Sequence, residues 1–165
     1  MGGSISRGLL TRGTYIQGAY LLGSYIWGVE PVFFNVRFYS MTYYPRALGW
    51  QTEECRYGPE RGVGVGDDKN SCAFDGARCK VWSGPPSEQV NNDYGREWSY
   101  GDVLSCLFSW SGEVSFWLNG VDMGVAFRGL NPGVNWYPAA SIAMDQHCSF
   151  NFGSKPFRCG FNLLN

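Results

Sequence analysis

The sequence predicts an all-β fold, an antiparallel β-sandwich. Two observations on composition point there. Aromatic residues make up 17% of the 165 residues, and 23 glycines cut the chain into short apolar stretches. Aromatic and β-branched runs bounded by glycine turns are the pattern of strands joined by hairpins. The third observation is negative: no segment carries the 3.6-residue periodicity of an amphipathic helix of ordinary length. A chain of this size buries roughly 70% of its unfolded surface, enough for one core of its own.

The first 31 residues differ in kind from the rest. Glycine recurs every five places at Gly8, Gly13, Gly18, Gly23 and Gly28, with Tyr15, Tyr20 and Tyr25 in step. A period of five matches neither a helix nor a strand. Segment 1–31 is therefore expected to be poorly ordered or loosely packed, outside the functional element. Arg7 and Arg12 precede an apolar stretch, as in a signal peptide, yet no A-x-A-like site closes it. The stretch is too short and too glycine-rich for a membrane helix, so no membrane span is expected. The start "MGGSIS" matches the myristoylation pattern, with Gly2 as acceptor. One acyl chain without a basic patch anchors only marginally.

From Val32 the texture is that of a folded domain. "VFFNVRFYS" alternates, with Val32, Phe34, Val36 and Phe38 on one face and Phe33, Asn35, Arg37 and Tyr39 on the other. A short strand ends near Trp50, and a polar, turn-rich stretch follows. A hairpin is expected around Asp75-Gly76. "SGPPSEQVNNDYGREW" reads as a loop. "DVLSCLFSW" and "EVSFWLN" flank a turn at Ser111-Gly112, and Asn119-Gly120 is a strong hairpin dipeptide leading into "VDMGVAF". "YPAASIAM" and "CSFNFGSKPF" supply the last strands.

Chemistry has little to work with. There is one histidine, His147, with no identifiable acid partner. No G-x-S-x-G elbow or P-loop occurs, and "GVGVGDD" lacks the spacing of a dinucleotide site. Asp67, Asp68, Asn70 and Asp75 miss the spacing and terminal glutamate of a calcium loop. Cys72, Cys79, His147 and Cys148 are poorly spaced for zinc. No cofactor is expected. The six cysteines include no CxxC pair and read as reduced core residues. A formal net charge of −1 argues against nucleic-acid binding, which needs a basic face.

The motifs fall in a known order. "FFNV", "LGW", "GVGDDKNSCAFDG", "GDVL", "FWLNG", "YPAAS" and "FNFGSKPF" together resemble the SPRY domain, and most nearly the SPRY domain of a large RING-type ubiquitin ligase. The resemblance runs from about Val32 to Arg158. It implies a concanavalin-like sandwich over 32–158, a C-terminal tail at 159–165, and a non-catalytic role in protein recognition in the cytoplasm. The RING's own cysteine spacings are absent, so this chain is expected to capture a partner or substrate rather than transfer ubiquitin. By the same resemblance the partner-binding residues fall on three loops: Tyr43, Tyr44 and Arg46; Arg61 and Gly64; Asp145 and Gln146. Related adaptors carry tyrosine near the position of Arg61, so their peptide ligand need not be this chain's. A sugar-binding role is the alternative, because lectins share the sandwich and fold does not fix function.

Overall fold

A computed structural model describes residues 18–21, 32–39, 47–56, 63–84, 90–142, 148–153 and 155–157, with backbone alone at 18–21 and 32. Among the described residues there are strands and turns but no helix. The strands are β1 (Gly18–Leu21), β2 (Val32–Phe38), β3 (Ala47–Thr52), β4 (Ser71–Asp75), β5 (Lys80–Ser83), β6 (Val90–Asp93), β7 (Val103–Phe108), β8 (Val114–Leu118), β9 (Val121–Phe127), β10 (Trp136–Ile142) and β11 (Cys148–Asn151). They form two antiparallel sheets. One has six strands in the order β1-β10-β3-β4-β5-β6, the other five in the order β11-β2-β7-β8-β9. The predicted all-β sandwich is the observed architecture.

The core lies between the sheets and is built by alternation. Phe34, Val36 and Phe38 of β2 face inward with Leu104, Cys106 and Phe108 of β7 and Val114, Phe116 and Leu118 of β8. Leu48, Trp50, Cys72 and Phe74 meet them from the opposite sheet. Each fully buried side chain of this size contributes roughly 1.5–3 kcal/mol. The rings interlock edge to face, Phe34 on Trp50 at 5.2 Å and Trp50 on Phe108 at 5.4 Å, while Phe74 meets Phe116 at a tilt, 5.4 Å away. The Trp50 indole donates to Cys106 Sγ at 3.2 Å, which satisfies its N–H inside the core. Phe150 and Phe152 are partly buried against the same cluster.

The predicted turns hold with their chemistry. Asn119 and Gly120 both have positive φ (52° and 84°), the conformation of a tight β8–β9 hairpin. Asp102 accepts from the Ser99 amide and from Asn119 Nδ2, at 2.7 Å each. Asp75 accepts from the amides of Ala77 and Arg78 at the β4–β5 turn.

The segment "SGPPSEQVNNDYGREW" departs from its reading as a loop. It holds β6, whose four residues are all exposed. A strand with no buried side chain leaves no alternation to read. β6 exists because it pairs with the open edge of β5, helped by Lys80 Nζ to Asp93 Oδ1 at 2.7 Å. Such an exposed ion pair adds little by itself. The same segment carries Trp98, which is fully buried, stacked on Phe38 at 5.4 Å and edge-on to Phe74 at 4.7 Å.

Within the pentad region, β1 pairs antiparallel with β10, Gly18 opposite Ile142 and Leu21 opposite Ala139. It shields the edge of β10, which would otherwise offer unpaired backbone groups. The rest of 1–31, including Gly2, lies outside the described residues.

Candidate functional site

The outer face of the six-stranded sheet carries a crossing segment, residues 63–70. Val65 packs on Ala73 and Ala139. Its amide donates to Ser141 Oγ at 2.8 Å, and the Gly66 amide donates to Ser71 Oγ at 2.9 Å. Asp67 Oδ2 accepts from the Gly64 amide and Asp68 Oδ1 from the Asn70 amide. The two carboxylates singled out in the sequence thus hold this segment in shape.

Gly64 is the one sequence-predicted site residue among those described. It sits so close to the end of β10 that a Cβ there would lie 2.5 Å from Ser141 Oγ. Tyr43, Tyr44, Arg46, Arg61, Asp145 and Gln146 lie outside the described residues, as does His147. The ends of their loops are described, and they meet. Segment 40–46 leaves β2 and enters β3; segment 143–147 leaves β10 and enters β11. β2 and β11 are neighbours, with Phe38 opposite Cys148, and β3 and β10 are neighbours, with Ala47 opposite Ser141. The described ends of both segments, Phe38 and Cys148 on one sheet and Ala47 and Ser141 on the other, therefore lie side by side in pairs. Segment 57–62 returns at Val63–Gly64, against that same Ser141.

Three described residues at this end were not singled out in the sequence. Tyr39 is 46% exposed, its hydroxyl 3.2 Å from Ser149 Oγ. Arg37 is exposed; its guanidinium lies 5.9 Å from the Tyr39 ring centroid, and its Nε donates to Gly101 O at 3.3 Å. Tyr100 is 57% exposed on the adjoining turn, held by the Gly101 amide bonding Phe38 O at 3.0 Å. The β2 alternation already put Arg37 and Tyr39 on the face away from the core. Nothing local marked Tyr100. A shallow cleft of about 430 Å3 lies at the other end of the β3–β10 pair, lined in part by Thr52, Glu53, Leu130 and Trp136. Glu53 there accepts a bond from the Tyr137 hydroxyl.

The SPRY-domain family profile matches residues 34–155. The chain belongs to the SPRY domain family. Relatives carry the same domain inside much longer proteins. The E3 ubiquitin-protein ligase RKP of Arabidopsis thaliana is 40% identical over 67% of this chain, a stretch that is 8% of the ligase. The probable ATP-dependent RNA helicase ddx1 of Dictyostelium discoideum is 33% identical over 57% of this chain and 12% of its own length. The Ran-binding proteins 9/10 homolog of Drosophila melanogaster is 32% identical over 56% of this chain and 9% of its own. SPRY domains are in general non-catalytic interaction modules.

The SPRY sandwich keeps its five described thiols inside or half-inside. Among the described residues Cys55, Cys72 and Cys106 are buried and Cys79 and Cys148 half-buried, and no group of three metal-ligating side chains gathers. Burial pushes Cys72 and Cys148 up to about 12 from the ordinary 9.0, and Cys106 well above it. A raised thiol pKa in the fold means stability is full below pH 9, where the unfolded thiols stay protonated. It is lost as pH rises from about 9 toward about 12, because the unfolded chain releases protons that the folded one keeps. Peptide mapping after thiol alkylation at about pH 8 should leave Cys72 and Cys106 unmodified in the folded protein and modified in denaturant. The melting temperature should fall above pH 9, and less steeply in Cys72→Ala.

Proposed function

We propose that this SPRY domain captures a protein or peptide partner on the loops at the Ser141 end of the sandwich. In this reading it serves as a substrate- or partner-recognition element linked to a ubiquitin ligase in the cytoplasm, and performs no catalysis itself. The observation that carries the proposal is the meeting of three loop stems at Ser141, with exposed Arg37, Tyr39 and Tyr100 on the same rim. Loops on a rigid sandwich are where binding residues are varied without disturbing the core. Arginine and tyrosine are also frequent interface hot spots. The similarity to RKP supports the ligase link. The helicase relative does not favour nucleic acid, because the matched stretch is only 12% of it and the net charge here is −1.

Affinity capture with the full chain as bait, followed by binding measurements on the protein captured, tests this. Arg61→Glu with Gln146→Ala should weaken that binding about tenfold or more, the loss of one hot spot. The melting temperature should stay nearly unchanged. Undiminished binding would place the interface elsewhere. A large drop in melting temperature would make these residues part of the fold.

A further inference from the structure

Arg37 is an exposed arginine whose guanidinium is already held in place. It sits on β2 between the core residues Val36 and Phe38, so its side chain leaves the sheet on the side away from the core. Its Nε donates to the Gly101 carbonyl at 3.3 Å. That carbonyl is fixed, because the turn carrying it is bonded to the end of β2 twice. The Gly101 amide donates to Phe38 O at 3.0 Å, and the Phe38 amide donates to Asp102 O at 3.3 Å. The guanidinium also lies over the Tyr39 ring, 5.9 Å from its centroid, and the Tyr39 hydroxyl is 3.2 Å from Ser149 Oγ on β11. Two contacts from two different elements thus orient one exposed cation.

Its charge is unmatched. Among the described residues no carboxylate pairs with Arg37, whereas Arg78 pairs with Asp75 and Arg128 with Glu113. Arg56 turns its Nη1 back to the carbonyls of Glu53 and Cys55. Asp102, the acid of the adjoining turn, is engaged at both oxygens: Oδ2 accepts from the Ser99 amide and Oδ1 from Asn119 Nδ2, at 2.7 Å each. An arginine presents its N–H donors as a planar fork. With Nε on Gly101, the Nη1 and Nη2 end of the fork remains, and that end matches the two oxygens of a carboxylate. We infer that Arg37 anchors a carboxylate side chain of the captured partner, so that the partner presents an acidic peptide segment to this rim. The inference rests on the partner-capture reading and names the ligand chemistry of that surface. A guanidinium oriented in advance loses less freedom on binding than a mobile one, which raises affinity without a new contact. A phosphoserine offers oxygens of the same kind, and experiment separates it from glutamate.

The test uses the full chain and immobilised libraries of short random peptides, free of acidic residues except at the centre. The central position carries glutamate, phosphoserine, glutamine or lysine. The glutamate library should retain about tenfold more protein than the glutamine or lysine library. Arg37→Gln should abolish that preference. Arg37→Lys keeps the charge but not the planar fork and should retain only part of it, so the test does not depend on Arg37→Gln folding. Exposed Arg96 is the control for net charge, and Arg96→Gln should leave the preference unchanged. Equal retention of the glutamate and glutamine libraries would overturn the inference and leave peptide capture standing. So would a preference that survives Arg37→Gln, one that Arg96→Gln removes as completely, or retention of the phosphoserine library alone. Retention of none of the four would overturn peptide capture at this rim, and this inference with it.

Discussion

Gly49→Val is expected to leave no folded protein at 25 °C, and Gly49→Ala to cost about 3 kcal/mol or more. Gly49 lies in β3 between β10 and β4, opposite Ala139 on one side and Ala73 on the other. A Cβ there would fall 1.9 Å from the Cys72 carbonyl oxygen and 2.7 Å from the Ala73 Cα. Both are backbone atoms of the neighbouring strand, so no side-chain rotation relieves the overlap. β4 cannot move away, because Ala73 is paired with Trp82 of β5 on its far side. The sheet would have to part where Trp50 and Cys72 anchor the core. Gly101→Ala is the informative contrast. Its φ is +84°, but nothing lies within 4 Å of an added Cβ. It should cost only about 1–2 kcal/mol, the ordinary price of a left-handed conformation. Urea titrations followed by circular dichroism separate the two. Equal losses would mean that conformational freedom, not close approach, fixes glycine at position 49.

How far the sequence could be read depended on how local each cause was. β2 was legible because Phe34, Val36 and Phe38 alternate with residues that need not be inside, and one sheet face suffices to produce that pattern. Asn119-Gly120 was legible because the two positive φ values are a property of two adjacent residues. Trp98 was not, since its burial is made by partners far along the chain. A Cβ at Gly76 would strike the indole at 2.2 Å, so the bare glycine leaves the room, while Phe38 and Phe74 supply the walls. Tyr100 was missed for a related reason, because the turn that holds it out is anchored to β2, distant in sequence. The candidate loops were named from the resemblance. That their stems meet at Ser141 follows from the order of strands in both sheets, which no local pattern contains.

Asp75→Ala should cost about 3 kcal/mol, through lost hydrogen bonds more than lost charge. The carboxylate is 0% exposed, at the end of β4. Oδ1 accepts from the amides of Ala77 at 2.8 Å and Arg78 at 3.1 Å, and Oδ2 accepts from Arg78 Nε at 2.5 Å. Alanine strands two turn amides and opens a void beneath the β4–β5 hairpin. Arg78 itself is half-exposed and lies 4.4 Å from the Trp82 ring centroid, so water and the indole can still stabilise its charge. The ion pair is therefore discounted for solvent screening. Asp75→Asn keeps an acceptor for the two amides but removes the charge and turns a donor toward Arg78 Nε in place of Oδ2. It should be milder, about 1–2 kcal/mol. Arg78→Ala leaves the carboxylate buried with its amides intact and should fall between the two, because a buried charge has then lost its counter-ion. Urea titrations of the three variants give the order. If asparagine costs as much as alanine, the pair with Arg78 rather than the turn amides holds Asp75 inside. The hairpin would then be stabilised by charge and sensitive to salt, which the amide-dominated reading excludes.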